Sequence, residues 1–145
     1  MATLTSANAA IFLQIAGVFP TPQQLQGFAA DDIFSVEKLN SAEVQMGVDG
    51  RFSAGFVFVP VKWNVSLMAD SEANFIFDQW YLAQQTGREL LPCSGIVLLE
   101  TVNTKWTMTR GFLTGYPSMP DAKKILEARN FEITFQSITP SPAGI

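Results

Sequence analysis

Histidine is absent from the 145-residue sequence, and cysteine occurs once, at Cys93. Without histidine the chain lacks the commonest general base, the Ser-His-Asp and Cys-His nucleophile arrangements, and the side chain that most zinc sites use. A single cysteine cannot form an internal disulfide. The sequence also has no phosphate loop and no dinucleotide-binding fingerprint. We therefore expect no catalytic residue, no metal and no cofactor, and interpret the chain as a non-enzyme.

Charge is sparse as well. Charged residues make up 15% of the chain against 48% apolar residues, and the formal net charge is −4. So little charge suggests that some apolar surface contacts another chain, although a large core would also explain it. The sequence has no basic block, so specific binding to a phosphate backbone is not expected.

Long hydrophobic runs are missing too. The apolar run at 9–19 covers about half of the ~20 residues that a membrane-spanning helix needs. No basic region precedes this run, so we expect neither a secretory signal nor membrane insertion, and we expect the protein to stay in the cytoplasm where it is made.

What the sequence does contain is strand periodicity. Apolar and polar residues alternate at 61–68 and at 127–138, where Phe131, Ile133 and Phe135 share one face. Asn103-Thr104 lies between two further runs that form a predicted hairpin, and we expect Trp106, Met108 and Phe112 to share a face of its second strand. The remaining predicted strands are 10–18 and 31–38. For 10–18 a helix stays an alternative, because an apolar run this short is ambiguous.

Asp49-Gly50 separates strand-like runs at 43–48 and 51–59. Such a dipeptide is a strong hairpin signal, and it predicts a type I′ turn with two residues of positive φ. Phe52, Phe56 and Phe58 follow, with Trp63 close behind. Aromatic residues on strands can stack on single-stranded nucleic acid, but that requires a positive groove. Core packing is therefore the favoured interpretation of these four.

One segment, 71–86, has helical periodicity. Asp70 is placed to cap its N-terminus, Glu72 would lie in its first turn, and Gly87 is placed to end it. Ala73, Ile76, Phe77 and Trp80 form its apolar stripe. Phe75 and Leu82 lie off that stripe and widen the apolar surface.

Strands that follow one another through tight turns pair antiparallel. The predicted fold is therefore mainly β: an antiparallel β-sandwich or barrel of two packed sheets with one flanking α-helix at about 71–86. Residues 1–145 are interpreted as a single domain. After Ile138 the ending TPSPAGI is short, rich in proline and without periodicity.

Three segments together resemble the tail tube proteins of contractile-tailed bacteriophages, which are related to the tube proteins of type VI secretion systems. They are VQMGVDGRFSAGFVFVPV, DSEANFIFDQWYLAQQTG and RGFLTGYPSMPDAKKILEARNFEITFQSI. The resemblance implies six copies in a ring, with strands of neighbouring subunits joined around a lumen. It further implies rings stacked into a hollow inner tube through which DNA passes non-specifically and transiently. The implied partners are sheath, baseplate and tail terminator proteins, and the implied location is the virion tail, assembled in the host cytoplasm.

Two contact regions follow from this resemblance. Val48, Asp49, Gly50 and Arg51 form the tip of a hairpin, 44–58, that would contact the adjacent ring. An arm at 117–126, together with the N-terminal segment Ala2–Ala9, would contact neighbouring copies. The candidate contact residues of the arm are Pro117, Pro120, Asp121, Lys123 and Lys124.

The charges near the arm allow two interpretations. Lys123 and Lys124, taken with Arg129, could pair with an acidic patch on another copy, such as Asp31, Asp32 or Glu37. They could equally belong to a solvated loop.

Two alternatives to a tube subunit stay open. A tube initiator, tail terminator or distal tail protein can share this fold yet form a single ring. A small β-barrel that binds an apolar ligand would place Phe and Trp residues around a cavity.

Overall fold

The described part of the chain, residues 9–26, 28, 34–99 and 102–142, forms nine strands and one helix in the computed structural model. In chain order these elements are β1 (Ala9–Ile15), β2 (Phe19–Gln24), β3 (Phe34–Val36), β4 (Ala42–Met46), β5 (Phe52–Phe56), β6 (Val61–Leu67), α1 (Asn74–Gly87), β7 (Cys93–Leu99), β8 (Thr104–Gly115) and β9 (Arg129–Pro142).

The strands form two antiparallel sheets. Seven lie in one sheet in the order β2-β1-β7-β8-β9-β6-β3, and β4 pairs with β5 in a separate two-stranded sheet. The expected class, mainly antiparallel β in two sheets with one helix, is confirmed. The single-domain interpretation of residues 1–145 stays a prediction.

The core lies between the seven-stranded sheet and α1. The inward residues predicted for β6 and β9 are confirmed, since Trp63 is 1% exposed and Phe131, Ile133 and Phe135 are fully buried. Phe77 of α1 stacks on Phe131 with ring centroids 4.1 Å apart. Fully burying a large apolar side chain stabilises the fold by about 1.5–3 kcal/mol. This helix–sheet contact therefore anchors α1.

The helix begins at Asn74 rather than at residue 71, and the expected cap is wrong. Ala73 occupies the N-cap position without a side-chain cap, so Asp70 and Glu72 precede the helix. Asn74 is buried instead, and its side-chain amide donates to the carbonyls of Met68, at 2.9 Å, and Ser71, at 3.0 Å. These bonds hold the preceding turn against the helix start. At the other end Gly87 is the last helical residue, and Arg88 takes the left-handed conformation (φ 55°).

Strand β2 contains two prolines, Pro20 and Pro22. Leu25 donates its N–H to the Ile11 carbonyl at 2.9 Å. Because N–H directions alternate along a strand, the positions of Pro20 and Pro22 face the free edge of the sheet, where no ladder bond is lost. The two prolines also remove donors that another strand could use.

Strand β8 changes the face that it buries part-way along. Its register with β7 shifts between Cys93 and Gly95, and Arg110 takes φ 43°. Met108 faces the core before this irregularity and Leu113 faces it afterwards. The expectation that Phe112 shares a face with Met108 is therefore wrong, because the irregularity changes the alternation.

The last strand extends beyond the predicted run, which ends at Ile138. Strand β9 continues to Pro142, and its last residues pair with the start of β8, with Trp106 opposite Pro140 and Thr104 opposite Pro142. The sequence beyond Ile138 has no alternation, so only the pairing with β8 explains this extension.

Candidate assembly surfaces

The β4–β5 hairpin has one apolar face and one polar face. Residues paired across a ladder lie on the same side of the sheet. Val44 pairs with Ala54 and Met46 with Phe52 on the apolar face, whereas Glu43 pairs with Gly55 on the polar face. We call the apolar face the hairpin face: Ala42, Val44, Met46, Phe52, Ala54 and Phe56. Every strand residue of the hairpin is exposed.

The expectation that Phe52, Phe56 and Phe58 pack in the core is wrong. They are 62%, 70% and 90% exposed, and only Trp63 of that group is buried. Phe56 and Phe58 contact each other edge to face, with ring centroids 4.8 Å apart. Phe56 and Phe58 thus form a solvent-exposed aromatic pair, and Phe52 is exposed separately on the same hairpin.

The hairpin itself is confirmed, but its turn type is not. Gly50 has φ 84° and Asp49 does not have a positive φ, which excludes a type I′ turn. Gly50 donates to the Gly47 carbonyl at 3.0 Å, and Gly47 donates to the Arg51 carbonyl at 2.7 Å. The Asp49 carboxylate accepts the Arg51 N–H at 3.1 Å. The result is a three-residue loop with a left-handed glycine and a fully exposed Val48 at its tip.

A second apolar surface is a groove on the core side of the large sheet. It has a volume of about 370 Å³. Its lining includes Val36, Leu39, Trp63, Trp106, Met108 and Ile138, which we call the apolar groove. Strand β3 and strand β7, four positions apart in the sheet order, both contribute to it, so the sheet curls around it. Val36 and Leu39 are 48% and 43% exposed and form its accessible rim.

The arm at 117–126 lies at the surface. Asp121, Lys123 and Lys124 are exposed, while Pro117 and Pro120 are half-buried. Lys123 lies 3.8 Å from Glu127, and both side chains are largely exposed. Such a pair contributes only about 0–1 kcal/mol, so it does not fix the arm firmly. The role of these residues in subunit contacts stays a prediction.

Arg129 does not extend the surface charge of the arm. It is 6% exposed, and its guanidinium lies 2.9 Å from the Asp78 carboxylate and 2.7 Å from the Pro117 carbonyl. Tyr116 donates its hydroxyl to the same carboxylate at 2.5 Å. The Tyr116 ring stacks on Tyr81 of α1, with centroids 4.3 Å apart. This cluster ties the start of the arm to the helix.

Sequence reasoning missed this cluster, although one signal was present. Arg129 has the same strand parity as Phe131, Ile133 and Phe135, so extending that alternation by one step places it inward. A buried arginine needs an acidic partner. Its partner, Asp78, lies on a helix far away in sequence, and nothing local identifies it.

The electrostatics of the cluster follow from burial and pairing. Burial opposes ionisation of Asp78, but hydrogen bonds from Arg129 and Tyr116, together with the guanidinium charge, outweigh it and lower the pKa of the carboxyl. Burial and the Asp78 carboxylate raise the pKa of the Tyr116 hydroxyl. The carboxylate is therefore ionised and the phenol neutral at pH 7, as the hydrogen bonds require.

Other predicted features lie partly outside the described residues. Asp31, Asp32 and positions 2–8 are outside them, and Ala9 begins β1. Within the described ranges, no group of three His, Cys, Asp or Glu side chains could hold a metal ion. In the same part of the chain, no helix has both the length and the apolar character needed to cross a membrane.

Solved structures share this fold. One is a chain of the anti-feeding prophage baseplate, with a TM-score of 0.56 and 14% identity over 100% of this chain and 99% of that chain. Another is in the tube-terminating cap of the anti-feeding prophage, with a TM-score of 0.58 and 10% identity over 99% of this chain and 93% of that chain. A third is in the PVC sheath–tube complex of an extracellular contractile injection system, with a TM-score of 0.51 and 9% identity over 91% and 88%. The chain thus shares its fold with chains of these three assemblies.

The chain belongs to the tail fiber protein gp32 family, which it matches over residues 2–139. No curated protein matches it. The family match makes the chain a structural component of a tail-like system, and the resemblance seen in the sequence is confirmed.

Proposed function

We propose that this protein forms homohexameric rings that stack into the inner tube of a contractile tail. The observation that carries the proposal is the β4–β5 hairpin, which exposes an apolar face on a two-stranded sheet. An isolated two-stranded hairpin is at best marginally stable in water, and an exposed apolar patch of this kind marks an interaction site. A second copy of the chain would cover it.

In this proposal Val48, Asp49, Gly50 and Arg51 contact the adjacent ring, and the arm contacts a neighbouring copy. The tube would lie in the virion tail inside a contractile sheath, with baseplate and terminator proteins at its ends. DNA would pass through the lumen without specific binding. The subunit performs no catalysis, and assembly takes place in the host cytoplasm.

Deletion of residues 48–51 tests the role of the hairpin tip. The variant should fold, as judged by far-UV circular dichroism, but should not polymerise. Val48→Asp provides a milder form of the same test. The matched control is Leu90→Asp, because Leu90 is 64% exposed and lies outside both predicted contact regions. Tubes formed by the deletion variant under the electron microscope would show that the tip is not the inter-ring contact.

A single-ring tail component is the second candidate function. The solved structures that favour it come from a baseplate and from a terminating cap. Such a protein would assemble into separate rings that do not extend. Negative-stain microscopy of the purified wild-type chain distinguishes the two, since a tube subunit gives stacked rings of variable length.

A further inference from the structure

Each copy of the chain carries two uncovered apolar surfaces of opposite shape: the projecting hairpin face and the concave apolar groove. We propose that the apolar groove of one copy receives the hairpin face of a second copy. This inference rests on the proposed function, because it requires assembly from identical subunits. It adds the specific acceptor that the hairpin contacts.

The two surfaces match chemically. The hairpin face contains only Ala, Val, Met and Phe, and its charged residue, Glu43, lies on the opposite face. The groove is lined by apolar side chains, including Trp106 and Met108. Docking would therefore bury no unpaired charge, which is the main penalty at such contacts. Glu43 and Gln45 would stay in solvent at the rim.

The area is adequate for a contact within a larger interface. A covered aromatic side chain buries about 150–250 Å². At their present exposures, Phe52 and Phe56 of the hairpin face still offer roughly 200–330 Å² in total. A standard interface buries about 800 Å² on each partner, so these two side chains would supply about a quarter to two fifths of one. Val44 and Met46 add to that area.

The hairpin does not occupy the groove of its own chain. Phe52 and Phe56 on the hairpin face are 62% and 70% exposed, and the groove rim at Val36 and Leu39 is 48% and 43% exposed. The hairpin starts close to that rim, since Leu39 lines the groove and the Ser41 carbonyl already accepts the Val57 N–H at 2.8 Å. Both surfaces are thus uncovered within one copy, and in this proposal the acceptor is the groove of another copy.

The symmetry of the contact agrees with the proposed assembly. The hairpin face and the groove are different patches, so the contact is heterologous. A heterologous contact cannot close as a two-fold dimer; it generates a ring or an open stack. Each copy then donates one hairpin and accepts another.

Cysteine cross-linking between two differently tagged chains tests the inference. One chain carries Phe52→Cys on the hairpin face and the other carries Val36→Cys on the groove rim. The native Cys93 is 3% exposed and does not compete. Mild oxidation should give a mixed disulfide between the two tags. The matched control is Ser53→Cys, the next residue along β5, whose side chain points to the opposite face; it should cross-link at least tenfold less.

Several outcomes would overturn the inference. Wild-type rings or tubes combined with no preference for Phe52→Cys over Ser53→Cys would exclude the groove as acceptor and leave the proposed function intact. An intramolecular bridge in a Leu4→Cys/Val36→Cys chain would show that the N-terminal segment fills the groove. An apolar small molecule retained in native mass spectrometry would show a ligand site instead. A wild-type chain that does not assemble at all would overturn both proposals.

Discussion

Replacing Asp78 by alanine tests the account of the buried polar cluster. The substitution removes the carboxylate that pairs with Arg129 and accepts the Tyr116 hydroxyl. Arg129 would stay buried with one remaining hydrogen bond from its guanidinium, to the Pro117 carbonyl. Its contacts over the Phe131 and Tyr116 rings, at 4.9 and 5.6 Å, would compensate only in part.

The expected magnitude follows from the burial of the two partners. Removing one partner of a fully buried pair costs about 3–5 kcal/mol. The Asp78 side chain is 36% exposed, so solvent screens part of this interaction, and we expect a loss of about 2 kcal/mol in the free energy of unfolding. In a domain of this size that corresponds to a fall in Tm of about 4–8 °C.

Urea unfolding followed by tryptophan fluorescence, at one fixed protein concentration, measures the effect. The matched control is Glu127→Ala, which removes the exposed pair with Lys123 and should change stability by less than about 0.5 kcal/mol. Adding Arg129→Met to Asp78→Ala should recover part of the loss, because no unpaired charge then stays buried. An Asp78→Ala variant no less stable than Glu127→Ala would refute the reasoning.

Three further predictions concern pH, the thiol and a glycine. The folded-state pKa of Asp78 lies below its unfolded value of about 3.9, so its contribution to stability is present above that pH and is lost as the pH falls through the folded pKa. The difference in unfolding free energy between wild type and Asp78→Asn should therefore shrink below about pH 4. A difference that grows there would contradict this. Burial raises the pKa of the Cys93 thiol to about 12. A thiol reagent at pH 8 should therefore label Cys93 slowly in the native protein and fast in the urea-unfolded protein. Rapid labelling of the native protein would show that Cys93 is accessible to solvent. A Cβ at Gly111 would lie 2.5 Å from ring carbons of Phe135, so Gly111→Ala should lower the unfolding free energy by about 1–3 kcal/mol. A Cβ at Gly55 would meet nothing within 4 Å, so the control Gly55→Ala should change the unfolding free energy by less than about 0.5 kcal/mol. Equal urea midpoints for the two variants would contradict this packing.

The sequence predicted those parts of the fold whose burial alternates along one strand. β6 and the first half of β9 follow this rule, because each residue on the inner face meets α1 or the sheet core. The helix start was misplaced, because the bonds of Asn74 to the carbonyls of Met68 and Ser71 depend on how the preceding turn folds. Phe112 was misplaced because Gly111, a glycine inside the strand run, signals a bend or bulge but does not tell whether the alternation changes there.

The assembly surfaces show a different limit of sequence reasoning. Alternation at Phe52, Ala54 and Phe56 identifies an apolar face, but it does not tell whether the same chain covers that face. The structure leaves it exposed, so the core prediction is wrong and the face is a candidate contact surface. Asp78 and Arg129 lie far apart in the sequence, and only the packing of α1 on β9 brings them together.

Electron microscopy of the purified wild-type chain shows directly whether it forms a tube. We expect six-membered rings stacked into hollow tubes of variable length, built without any other protein. A stable monomer of 15.9 kDa at micromolar concentration, seen by light scattering and as single small particles under the microscope, would contradict it.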